Sequence, residues 1–182
     1  MRLVENTEHT DALLQRAVPA ARTPLCAGDS AANVLVVGGD RVFREGVALS
    51  IHRARPSQTG LFTRIDCKGR HDLLRTAFVG ILHTLSRQAS NSNGRGMPLL
   101  GGGTIFLDPI DCMEPEDQRA CLELLKQLQA LRVGWPGRLS VRIVAGATGD
   151  FCRALEEGRL LGDLVDILDK VRVVANGEGQ AA

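Results

Sequence analysis

Short runs of β-branched and aliphatic residues alternate along the chain with longer stretches in which apolar positions recur every three or four residues. Val34-Leu35-Val36-Val37 enters the pair Gly38-Gly39, and Phe43, Val47, Ile51 and Ala54 follow at helical spacing. That pattern predicts a buried strand at 33–37, a turn, and a helix over 45–53. Turn-forming residues at 55–60 deliver a second, partly alternating strand at 61–67. Asp72 is placed to cap a long helix whose stripe is Leu74, Ala77, Phe78, Ile81, Leu82 and Leu85. The polar stretch 90–96 ends it as a solvated connector.

Behind three glycines, Thr104-Ile105-Phe106-Leu107-Asp108 reads as a buried strand ending in a carboxylate. Glu114, Pro115, Glu116 and Asp117 make a strong helix start, with proline in the first turn and acids near the positive end of the dipole. That helix is expected to bury Cys121, Leu124, Leu125, Leu128 and Leu131. Trp135-Pro136-Gly137 turns the chain into a fourth strand at 139–145. Asp150 is read as the cap of a short helix through Phe151, Ala154 and Leu155, closed by Gly158. A second short helix carries Leu160, Leu161, Leu164, Val165 and Leu168, and 171–174 is the last strand. Before the first strand, 10–18 has helical spacing and ends at Pro19. The organisation is therefore a helix and loop at 1–32, an α/β domain at 33–175, and a polar tail at 176–182. Five strands alternating with helices predict a parallel sheet covered on both faces, a three-layer sandwich.

Composition narrows the function classes. With 182 residues, 44% hydrophobic and 24% charged, the chain can bury one core. Its 22 basic and 21 acidic residues give a net charge of +1, so no global field draws it to nucleic acid or to a membrane. Aromatics at 3%, with no Tyr, argue against base-stacking platforms. Cys26, Cys67, Cys112, Cys121 and Cys152 form no C-x-x-C pair, which suits reduced thiols, most of them acting as small buried hydrophobes. The N-terminus lacks the apolar core of a signal peptide and no apolar run spans a bilayer, so a cytoplasmic protein is expected. His9, His52, His71 and His83 lack metal-ligand spacing.

The candidate chemistry sits at the first turn. Glycines between a strand and a helix are where backbone N–H groups wrap phosphates, with a Lys reaching the terminal phosphates and a Ser or Thr holding magnesium. Here the turn continues with Asp40, Arg41, Val42, Phe43 and Arg44. The pattern keeps the shape of a P-loop and loses its residues. Arg41, Arg44, Arg53, Arg55, Arg64, Lys68 and Arg70 also crowd one part of the sequence, and a solvated face with scattered ion pairs is the reading preferred over a nucleic-acid surface.

In order and spacing, these landmarks resemble the AAA+ ATPase domain of the bacterial enhancer-binding activators that work with the sigma-54 form of RNA polymerase. Residues 34–38 followed by Ile51-His52 resemble the family's strand, P-loop and first helix, and 62–67 its "F-x-x-x-N-C" strand. Gly102-Gly103-Thr104-Ile105-Phe106-Leu107-Asp108 is similar to its "G-G-T-L-F-L-D-E" Walker B segment. Val141-Arg142-Ile143-Val144-Ala145 with Asp150 is similar to "V-R-I-I-A-A-T-N-R-D-L", and Gly158 with Asp163-Leu164 to "G-x-F-R-x-D-L". The resemblance implies a P-loop NTPase-like fold, here ending after the last strand and so expected to lack the helical lid and any helix-turn-helix domain.

It also implies where the catalytic groups should be. The Walker A lysine falls on Arg44 and its glycines on Arg41 and Phe43, while Glu45 keeps the family's acid. Asp108 keeps the Walker B aspartate, but Pro109 stands where the water-polarising Glu belongs, and Asp111 is displaced along the turn. The sensor Asn falls on Thr148, and the arginines that reach a neighbour's site fall on Leu161 and Ile167. The sigma-contacting "G-A-F-T-G-A" loop has no counterpart in 82–99. Gly38, Gly39, Arg44, Glu45 and Asp108 are thus the candidate nucleotide-site residues, degenerate, with no catalytic residue and no metal site. The expectation is a pseudo-ATPase needing no ATP or magnesium, with Asp108 a relic. It would bind another protein as a regulatory or inhibitory module, as a monomer or nucleotide-independent dimer rather than a hexameric ring. The alternatives are a nucleotide-binding regulator with an altered P-loop, and a nucleic-acid binder through 41–70.

Overall fold

The chain is seen in a computed structural model that describes residues 32–54, 60–69, 72, 74–81, 83, 103–134 and 141–175. The expected helix at 10–18, the loop at 90–96, the turn at 135–137, the tail, Cys26, and the side chains of Leu82, Leu85 and Leu131 lie outside them.

Five strands form one parallel sheet: β1 (Val34–Val37), β2 (Phe62–Asp66), β3 (Thr104–Asp108), β4 (Arg142–Ala147) and β5 (Val171–Val174). Their order is β2-β3-β4-β1-β5. Parallel strands need crossovers, and the helices that make them cover both faces, so the central strands are buried on both sides and mostly apolar rather than alternating. Every residue of β3 and β4 is accordingly buried. The edges are more mixed, with Arg64 and Asp66 on β2 and Arg172 and Val174 on β5 exposed.

One face is covered by α1 (Arg41–Arg53), whose Val47, Ala48 and Ile51 pack with Val34, Val36, Phe106, Val144 and Val173. The other face carries helical residues 74–81 (α2), α3 (Pro115–Gly134), α4 (Phe151–Glu156) and α5 (Gly162–Leu168). Leu74, Phe78, Cys121, Leu124, Leu125, Leu128, Phe151, Ala154, Leu164 and Leu168 fill this larger core against Leu35, Ile105, Leu107 and Ile143. Alternation along the strands therefore sends Phe106, Asp108, Val144 and Gly146 toward the α1 face.

Three boundaries differ from expectation. The first helix begins at Arg41 rather than at 45, because Asp40 accepts from the Phe43 N–H at 2.7 Å and caps it. β4 runs from Arg142 to Ala147, two residues beyond the expected end, in register with β1 at Val37↔Ala147. Asp150 precedes α4 but makes no side-chain cap; its carboxylate pairs with Arg153 at 3.1 Å.

Candidate functional site

The C-terminal ends of β1, β3 and β4 meet at one edge of the sheet, where an open α/β fold presents its ligand crevice. The turn after β1 is Gly38-Gly39-Asp40, with φ of 81° and 68° at the two glycines. Such angles suit glycine and strain other residues. Gly39 meets a second demand, because a Cβ there would lie 2.6 Å from the Phe43 ring. The ring thus closes over the turn. The N–H groups of Phe43 and Arg44 are used by the Asp40 carboxylate and carbonyl, at 2.7 and 3.1 Å. An anion does sit at this helix N-terminus, and it is the chain's own. Asp40→Ala is expected to lower stability by about 1 kcal/mol, read as a shift in the urea midpoint at unchanged slope.

Arg44 lies in the first turns of α1 and turns inward. Its Nε donates to Asp108 Oδ1 at 2.5 Å, its Nη2 to Asp108 Oδ2 at 3.2 Å, and its Nη1 to the Gly39 carbonyl at 2.7 Å. Both residues are 5% exposed. Fork-on-carboxylate pairing of this kind is among the strongest polar contacts available, and the Gly39 bond uses the remaining arm of the fork. Asp108 is therefore no relic at a strand end. Arg44 makes the anion contact that sequence allowed it, but with the partner supplied from within.

A second internal tie stands beside the first. Asp111, in the 3-10 turn Ile110–Cys112, accepts from the Thr148 N–H at 3.0 Å and from the Thr148 hydroxyl in a short hydrogen bond. Asp111, after β3, is thus tied to Thr148, after β4. Nearby, the 1%-exposed Gln118 donates to the carbonyls of Met113 and Arg159 at 2.9 and 2.7 Å and accepts from the Leu161 N–H at 2.8 Å. Those bonds fix the connection between α4 and α5, where Leu161 lies.

Glu45 does not enter the site; it pairs with Arg64 at 3.1 Å. Arg41 reaches Asp66 at 3.7 Å. Arg41 and Arg64 thus face carboxylates from the same stretch, in keeping with a face of ion pairs, while Arg44 is buried against Asp108. Of the described cysteines, Cys67 and Cys121 are buried while Cys112 and Cys152 are exposed, so burial accounts for two of the four. Burial drives the Cys67 thiol far upward and Cys121 to about 12; partial burial, then the Asp111 carboxylate, raise Cys112. Cys67, Cys112 and Cys121 are therefore not poised as thiolate nucleophiles. Among the described residues no group of three or more His, Cys, Asp or Glu side chains is placed to hold a metal ion. No described helix is long and apolar enough to cross a membrane.

The residues as arranged do not fit a magnesium triphosphate. Both Asp108 oxygens face a guanidinium, the Phe43 ring lies against Gly39, and the cap of α1 is taken. Sequence reading brought Gly38, Gly39, Arg44 and Asp108 to one place but missed Asp40, Thr148 as a partner of Asp111, and Gly146. The available signal was Gly146 itself, a glycine in a buried strand at the position of the second Ala in "V-R-I-I-A-A-T-N". A Cβ there would fall deep inside the contact distance of Asp108 Oδ1.

Comparison with known proteins gives the family. Residues 4–174 match the model of the sigma-54 interaction domain. The phenol regulator MopR of Acinetobacter guillouiae is 30% identical over 141 residues, covering 76% of this chain and 25% of that protein. The DNA-binding transcriptional regulator NtrC of Salmonella typhimurium is 29% identical over 147 residues, covering 79% and 31%. The chain thus spans about a quarter to a third of the length of these relatives. Among solved structures, NtrX from Brucella abortus in complex with ATP superposes with a TM-score of 0.58 at 19% identity, over 97% of this chain and 37% of that one. That likeness concerns the fold. With the matched stretch covering nearly the whole chain and the expected parallel sheet in place, the chain belongs to the sigma-54 interaction domain family of AAA+ transcriptional regulators.

Proposed function

We propose that this domain has given up nucleotide turnover and acts in transcriptional regulation by binding another protein, as a regulatory or inhibitory module. The observation that carries this reading is the buried Arg44–Asp108 pair, which occupies the magnesium-binding carboxylate with a tethered cation. Pro109 in place of the polarising acid, Thr148 engaged with Asp111, and Leu161 and Ile167 in place of arginines point the same way. Arg41 and Arg64 are paired within the domain, which favours a protein partner over nucleic acid. The relatives' own names, a phenol regulator and a DNA-binding transcriptional regulator, support the regulatory setting.

Thermal unfolding with and without magnesium ATP tests it. A ligand at a hundred times its dissociation constant stabilises by about 2.7 kcal/mol, which raises the midpoint by about 5–10 °C for a domain of this size. The expected result is an unchanged midpoint at millimolar ATP and no phosphate release above background. A clear upward shift that disappears in Asp108→Ala contradicts the proposal and returns the domain to the nucleotide-binding regulators with an altered loop.

A further inference from the structure

We infer that Gly146 is the positioning residue of a three-part lock, the missing side chain on β4 that lets Arg44 and Asp108 join across it. The inference rests on the closed-site reading above and extends it to a residue outside both nucleotide-binding motifs.

The sheet order explains the need. β4 lies between β1 and β3, so Arg44, which follows β1, must reach over β4 to meet Asp108 at the end of β3. Alternation places Gly146 on the α1 face, directly beneath that crossing. A Cβ at 146 would overlap Asp108 Oδ1, stand 3.0 Å from Asp108 Cγ and 3.2 Å from Arg44 Cδ. Neither neighbour is a loose chain end. The carboxylate is fixed by two hydrogen bonds, and the arginine stem is fixed at its tip by Asp108 and Gly39.

Backbone conformation gives no other reason for glycine. Gly146 is absent from the glycines with positive φ, and it lies within a paired strand where Val36 is its partner on β1. An interior strand glycine is otherwise a cost, since it loses more entropy on folding than alanine and packs nothing. The family pattern has alanine at this position, with a lysine where Arg44 stands. The larger cation and the smaller strand residue therefore form a matched pair: the volume added at 44 is accommodated at 146. On this view the site was rebuilt around its own salt bridge, beyond simple loss of catalytic groups.

A mutant cycle tests the matching. Gly146→Ala is made in the native chain and in a background carrying Arg44→Met with Asp108→Ala, where the pair is gone. In the native chain the methyl group is expected to lower the thermal midpoint by about 3–8 °C, the range for an overpacked core position in a domain of this size. In the pair-free background it is expected to leave the midpoint unchanged or raise it. If Gly146→Ala in the native chain gives no folded protein, recovery of folding in the pair-free background is the supporting result. Equal losses in both backgrounds, or a native chain that accepts alanine without loss, overturn the inference. The cycle is run without nucleotide, so its outcome is separate from the ATP measurement. A chain that binds ATP and still shows the coupling has a lock that opens, whereas one that ignores ATP and shows no coupling is closed by something other than Gly146.

Discussion

Asp108→Ala is expected to destabilise the domain by about 3–5 kcal/mol, the usual consequence of leaving one member of a buried ion pair behind. Arg44 would keep its charge, because a guanidinium does not deprotonate in a protein. Its Nε and Nη2 would then face a cavity, with the Gly39 carbonyl as the contact that survives. The midpoint of thermal unfolding should fall by about 10 °C. Asp108→Asn should fall less, since its amide oxygen still accepts one of the two bonds.

The contrast that identifies a buried pair is the double replacement. Arg44→Met with Asp108→Leu removes both charges, and exchange of a buried pair for apolar groups is often neutral or stabilising. The double variant should therefore stand well above Asp108→Ala. Urea denaturation of the native chain, Arg44→Met, Asp108→Leu and the double variant gives the coupling directly. A loss under about 1 kcal/mol in Asp108→Ala is what a solvent-screened surface pair would give, and it would remove the basis for a closed site.

The layers of the fold were legible because they follow from short-range pattern. Val34 to Val37 and Thr104 to Asp108 are short apolar runs that fit a buried parallel strand, and Glu114-Pro115-Glu116-Asp117 marks the start of α3 by dipole and proline chemistry. The site was legible as a set of residues, Gly38, Gly39, Arg44 and Asp108, but not as the bonds among them. Arg44 and Asp108 are separated by 64 residues in sequence, and what joins them is the strand order β3-β4-β1, which no local pattern encodes. Asp111 and Thr148 meet for the same reason, at a separation of 37. The start of α1 was misplaced because the stretch was compared with a phosphate loop, whereas Asp40 had already supplied the cap that a phosphate would otherwise resemble. The crowd of arginines reads as a face of scattered ion pairs, and the fold sets Asp66 and Glu45 opposite Arg41 and Arg64; the burial of Arg44 against Asp108 is what the local pattern did not carry.

Gln118→Leu is expected to cost about 3 kcal/mol, from two carbonyls and one N–H left without their partner at about 1–3 kcal/mol each, softened where water can enter. The side chain is nearly isosteric, so little of the loss comes from packing. Its location sets the consequence: Gln118 sits at the start of α3 yet holds Arg159 and Leu161, 41 and 43 residues further on. Amide exchange should therefore quicken by at least about tenfold at Leu161 while β1 and β3 keep their protection. Gln118→Glu sharpens the assignment. A carboxylate can still accept from the Leu161 N–H, but it has no donor for the two carbonyls and repels both. It should be at least as damaging as leucine at neutral pH and recover partly in acid, where a protonated glutamic acid can donate once. If leucine is tolerated without change in stability or exchange, the connection between α4 and α5 is held by Leu160 and Leu164 in the core. The polar tie would then have no part in fixing the surface around Leu161.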